Sequence, residues 1–98
     1  MPFEIILTEE ALEDLQQFKK HKMQRIGEAI ENQLIFQPGH ETRNRKKLRP
    51  NPLAEWELRV GDFRVFYVID FSDNQVKIVA VGWKVGSRLY LHGEAFEL

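Results

Sequence analysis

The sequence predicts an α+β fold: an N-terminal strand, a helical hairpin, then an antiparallel β-meander closed by a short C-terminal segment. Three observations carry that prediction. Apolar residues recur at steps of three and four between Leu12 and Leu34, the spacing of one face of a helix. Beyond residue 55 the period changes to two, as in half-buried strands. Between the two regimes stand Gln37, Pro38 and Gly39, which end a helix because proline cannot continue it and glycine favours a turn. A chain of 98 residues, 43% of them apolar, supports one core, so residues 1–98 are expected to form a single domain.

The first strand is the short apolar run Phe3 to Leu7. Thr8 then stands where a helix N-cap belongs, and Glu9 and Glu10 follow in the first turn, where carboxylates suit the positive end of the helix dipole. Leu12, Leu15 and Phe18 make the apolar stripe of helix one, which the charged run Lys19, Lys20, His21, Lys22 is expected to close. Met23, Ile26, Ile30 and Leu34 make the stripe of helix two. From His40 to Pro52 the chain is polar and carries Arg43, Arg45, Lys46, Lys47 and Arg49, a loop or the approach to a strand.

Trp56, Leu58 and Val60 alternate with Glu57 and Arg59, and Phe63, Val65, Tyr67 and Ile69 alternate with Arg64, Phe66 and Val68. Gly61 and Asp62 between them suit a two-residue primed turn, which pairs Val60 with Phe63 and Arg59 with Arg64. The Trp56 row is expected to face the helices, leaving Glu57, Arg59, Arg64, Phe66 and Val68 on the other side. Ser72, Asp73 and Asn74 make the next turn, Val76 to Trp83 a further strand, and Lys84 follows it.

The chain has no cysteine, so neither disulfides nor a cysteine zinc site can staple it, and no metal or cofactor is expected. It opens without a secretory pattern and holds no apolar run near the roughly 20 residues a membrane span needs, so a cytoplasmic protein is expected. The net charge of −1 hides an asymmetry: residues 1–42 carry four Lys/Arg against eight Asp/Glu, and residues 43–98 carry ten against seven. A local anion-binding surface in the second part is compatible with the overall charge.

The Arg59/Arg64 pair sharpens that expectation. Like charges directly opposite on a sheet cost up to about 1 kcal/mol. Two compensations are open: Glu57, diagonal to Arg64 and beside Arg59, neutralises the pair, or an anionic ligand such as a phosphate is held between the guanidiniums.

Four stretches, FEIILTEEALEDL at the start, KLRP at 47–50, WELRVGDFRVFYVI, and VGWKVGSRLY at 81–90, together resemble the RelE/ParE superfamily of toxins from bacterial type II toxin-antitoxin modules. The resemblance implies a toxin partnered by a cognate antitoxin and, for a RelE-like member, a ribosome-dependent mRNA endonuclease. In that reaction the 2′-hydroxyl attacks the adjacent phosphate. It implies Arg59, Arg64, Lys84 and Tyr90 as catalytic residues. Glu57 departs from the family pattern, standing where RelE-type enzymes carry a lysine, and is either a general base or the mark of a rewired site; His92 is a candidate acid because histidine is the residue type suited to proton transfer near neutral pH. Arg43, Arg45, Lys46, Lys47 and Arg49 would bind RNA. The alternatives within the resemblance are a ParE-like, non-catalytic inhibitor of DNA gyrase and a degenerate toxin that only binds its antitoxin.

Overall fold

The computed structural model describes residues 2–97. Along the chain run β1 (Glu4–Leu7), α1 (Glu9–Gln16), α2 (Lys20–Leu34), β2 (Arg45–Lys47), β3 (Trp56–Val60), β4 (Phe63–Asp70), β5 (Gln75–Val85), β6 (Arg88–Leu91) and β7 (Glu94–Phe96). The strands form one sheet in the order β2-β3-β4-β5-β6-β7, with β1 added on β5. All the pairings of β2 to β7 are antiparallel, whereas β1 runs parallel to β5, so the expected meander sits in a mixed sheet. No helix among the described residues is long and apolar enough to cross a membrane.

Thr8 explains how β1 passes into α1. Its hydroxyl accepts the Ala11 N–H (3.2 Å), capping the helix, and donates to the Ile78 carbonyl (3.0 Å), tying the end of β1 to β5. Helix α1 is short. Gln17 caps its end, so the basic run from Lys19 lies on the corner and in the first turn of α2 rather than closing α1 as the sequence suggested. The α1 stripe is also rotated from its expected position: Leu12 is 45% exposed, while Ala11 and Asp14 turn inward with Leu15. The small Ala11 side chain lets α1 lie close against β5, and Leu12, about 100° further round the helix, is carried out to solvent.

The hairpin has the expected register, Arg59 opposite Arg64 and Val60 opposite Phe63. Gly61 takes φ +59°, and the Arg25 guanidinium lies over its Cα, so a side chain there would be both strained and obstructed. The main core joins Trp56, Leu58, Val60, Val65 and Tyr67 to Ile26, Ile30 and Leu34 of α2 and Leu15 of α1, with Phe18, Phe63 and Ile69 packed at its margin. Tyr67 is fully buried, and its phenol donates to the Pro38 carbonyl (2.8 Å).

Two features depart from straight alternation. Between Phe66 and Tyr67 the register on β5 slips, with Phe66 opposite Ala80 and Tyr67 opposite Ile78, leaving Val79 as the extra residue of a β-bulge. The bulge changes the phase of β5, so that Val76 and Ile78 before it, and Val81 after it, all enter the main core. The second departure is at Gly82, where a Cβ would collide with the Tyr90 carbonyl and the Leu91 side chain. Its missing side chain allows β6 to approach β5 closely and carry Leu89 and Leu91 over the far face. There they bury Phe66, Ala80 and Ala54, with Phe96 at the margin, in a second core. The C-terminal segment is therefore a hairpin of β6 and β7, and the far face is partly an apolar interior rather than an open charged surface.

Candidate functional site

Glu57, Arg59 and Arg64 stand together on that far face, at the mouth of the β3–β4 hairpin. Glu57 is almost fully buried, and its two carboxylate oxygens lie 3.6 Å from the Nε of Arg59 and 3.6 Å from the Nε of Arg64. The carboxylate sits between the two guanidiniums, which accounts for their tolerance of each other on adjacent strands. Arg64 is further fixed through Nη1, which donates to the carbonyls of Gly61 and Phe63 (2.8 Å each). Both Nε–H groups are buried yet have no hydrogen-bond partner, because 3.6 Å is beyond bonding distance. Two buried donors thus stand near one carboxylate without being satisfied by it.

Glu57, but neither arginine, lines a cavity of about 890 Å³ whose walls also include Lys84, Arg88, Leu48, Phe96 and Glu97. Lys84 belongs to β5 rather than following the last strand, because β5 runs on to Val85. It points to the same face as Arg64 by alternation from Trp83, which pairs with Phe63 on the helix face. One further cation joins them. Residues 45–47 form the edge strand β2, in which Lys46 pairs with Glu57 and so lies on the Glu57 face. The sequence offered no signal for this, since three residues amid charges show no period.

The remaining residues singled out from the sequence are distributed elsewhere. Tyr90 pairs with Trp83 and stacks on it (centroids 5.7 Å apart, planes at 11°), which places it on the helix side of the sheet, across from the arginines. His92, in the β6–β7 turn with φ +54°, holds Asp14 of α1 through Nδ1 (2.6 Å), and Glu10 lies 3.9 Å from its Nε2. Asp14 is buried, and its other oxygen accepts the Val81 N–H (2.9 Å), so this carboxylate joins α1, β5 and the C-terminal turn. Sequence reasoning missed Asp14; the signal was an acid at an inward helix position between Ala11 and Phe18. Arg45 is turned inward, with Nε donating to the His40 carbonyl (2.9 Å) and Nη1 to the Gln33 carbonyl (2.6 Å). Arg43, Lys46, Lys47 and Arg49 remain exposed; Lys46 lies on the Glu57 face, whereas Lys47 pairs with Trp56 on the helix face. Among the described residues no group of three His, Cys, Asp or Glu could hold a metal ion.

The family profile described as ParE toxin of type II toxin-antitoxin system, parDE, matches residues 5–84. Among solved structures, the toxin-antitoxin complex RelBE2 from Mycobacterium tuberculosis is similar, with a TM-score of 0.72 at 25% identity over 86% of this chain and 100% of that one. The archaeal RelE-RelB complex from Pyrococcus horikoshii OT3 has a TM-score of 0.65 at 24% identity over 83% of this chain and 93% of that one, a likeness of fold. No curated protein matches the sequence.

Proposed function

Because the chain belongs to the ParE toxin family, within the RelE/ParE superfamily of type II toxin-antitoxin toxins, we propose that it cleaves mRNA on the ribosome in the cytoplasm and is held in check by a cognate antitoxin. The observation that supports cleavage is Glu57, held 3.6 Å from two arginine Nε–H groups that lack hydrogen-bond partners, at a cavity that Lys84 also lines. A carboxylate base beside preorganised cations is what 2′-hydroxyl attack requires. Glu57 takes the 2′-hydroxyl proton as the oxygen bonds to phosphorus. Arg59 and Arg64 turn their Nε–H groups from Glu57 to the phosphorane oxygens as negative charge gathers there. Lys84 protonates the departing 5′-oxygen, leaving a 2′,3′-cyclic phosphate and a 5′-hydroxyl. Tyr90, across the sheet, and His92, tied to Asp14, have no part in this scheme. Lys46 faces the reacting phosphate, and Arg43, Lys47 and Arg49 follow the flanking backbone, where cations position RNA without reading its sequence. The antitoxin is supported by the neighbouring folds, both solved as toxin-antitoxin complexes.

The ParE profile favours a second reading, non-catalytic inhibition of DNA gyrase. Purified protein in a cell-free translation reaction, followed by primer extension on the mRNA, separates the two. Cleavage that needs ribosomes and disappears in Glu57→Gln supports the endonuclease. Intact mRNA together with blocked gyrase supercoiling selects the second reading.

A further inference from the structure

Four residues of the β6–β7 hairpin, Arg88, Leu89, Ala95 and Phe96, line the same cavity as Glu57. The hairpin closes one end of the sheet, and among the described residues β7 pairs with β6 alone. On the far face Leu89, Leu91 and Phe96 fasten it to the second core. On the helix side its tip reaches α1, where His92 meets Asp14 across 78 positions of chain. The placement of this cavity wall therefore depends on what holds the tip.

Leu91 pairs with Glu94, so His92 and Gly93 are the two residues of the turn, and both have positive φ, +54° and +78°. This is the pattern of a primed turn, for which Asn-Gly and Gly-Gly are favoured pairs, so turn chemistry alone does not select histidine. The ring answers instead to Asp14. That carboxylate is 3% exposed; one oxygen accepts the Val81 N–H (2.9 Å) and the other has His92 Nδ1 at 2.6 Å. A carboxylate only accepts, so Nδ1 carries a proton and donates. Without that donor a buried oxygen of Asp14 is left unpaired, which is costly, so the polar need of α1 draws the hairpin tip onto it. The other ring nitrogen lies 3.9 Å from the exposed Glu10, beyond hydrogen-bond distance, and contributes little.

We propose that His92 is a positioning residue, which latches the hairpin tip to Asp14 and so holds Arg88, Phe96 and the rest of that cavity wall in place beside Glu57 for the substrate to bind against. That the substrate is RNA rests on the function proposed above; that His92 fastens the wall rests on the geometry of the hairpin alone. The reacting groups Glu57 and Lys84 stand on β3 and β5, which the latch does not carry. Its loss therefore weakens the binding of substrate and leaves the proton transfers at their own rate.

Two substitutions in the full chain test this. His92→Gly removes the donor while giving the turn a residue it favours, and His92→Asn keeps both a donor and a tolerance of positive φ. Amide exchange followed by mass spectrometry should show residues 88–96 exchanging at least about tenfold faster in His92→Gly, with α2 as protected as in the wild type. His92→Asn should restore slow exchange. In the ribosome assay His92→Gly should raise KM for mRNA-programmed ribosomes about threefold or more, with kcat within about twofold of the wild type. Unchanged exchange at 88–96 in His92→Gly, or exchange as fast in His92→Asn, overturns the proposal. So does loss of α2 protection along with the hairpin's, which would make the contact a general prop of the fold. Faster exchange with KM unmoved overturns it too, as does a fall in kcat alone, which would make His92 a catalytic residue. Absence of cleavage by the wild-type chain counts against the endonuclease, and the exchange measurement then decides the latch by itself.

Discussion

Replacing Glu57 by glutamine keeps its shape and removes only its charge, leaving two guanidiniums side by side without a counter-ion. Unit charges about 4 Å apart attract by roughly 4 kcal/mol at an effective dielectric constant near 20, before desolvation is subtracted. The Arg64 and Glu57 side chains are 12% and 9% exposed, so their attraction is little screened, whereas Arg59 is 38% exposed and its share falls below about 1 kcal/mol. Removing one partner of a fully buried pair costs about 3 to 5 kcal/mol. These contacts lack hydrogen bonds, so we expect Glu57→Gln to lose about 2 to 3 kcal/mol, just below that range. A urea titration followed by tryptophan fluorescence measures it. In an Arg64→Gln background the same substitution should cost less than about 1 kcal/mol, because the buried cation that needed Glu57 is gone. Cleavage at saturating ribosomes should fall at least about 100-fold for loss of a general base. A stability loss below about 0.5 kcal/mol would show that the arginines do not depend on Glu57 and refute the electrostatic account. Lost stability with intact cleavage would make Glu57 a counter-ion and not a base.

Gly82→Ala should separate β6 from β5, because the new methyl meets the Tyr90 backbone and Leu91; amide exchange at residues 89–91 should speed up well before the helices unfold. Burial holds the Tyr67 phenol well above the usual tyrosine range, so its contribution to stability is complete below about pH 10 and declines as pH rises beyond it. Thermal melts stepped into alkali should show that decline, and Tyr67→Phe should remove it while costing about 1 kcal/mol at neutral pH for the undonated Pro38 carbonyl. Reversing Arg43, Lys47 and Arg49 to glutamate should slow association with ribosomes in a salt-sensitive way and leave single-turnover cleavage unchanged. Lys46→Glu, beside Glu57, should lower the single-turnover rate as well.

Much of the scaffold was determined by the sequence itself. Thr8 capping α1, the stripe of α2, the Gly61 turn and the Arg59–Arg64 register all follow from residues within a few positions of one another, where periodicity and turn chemistry act. From the register and alternation alone, Glu57 could be placed between the arginines. Which other groups share their face was decided by tertiary structure. The bulge at Val79 reverses the phase of β5, and without that shift alternation would place Trp83 opposite Val76 and Ile78. Tyr90 follows Trp83 to the helix side, Lys46 reaches Glu57 only because β2 adds to the sheet edge, and Arg45 turns in to cap the end of α2. His92 meets Asp14 across 78 positions of chain, and Asp14 meets Val81 across 67. Such contacts form when whole elements dock, and docking depends on the shapes and polar needs of surfaces that no local pattern encodes.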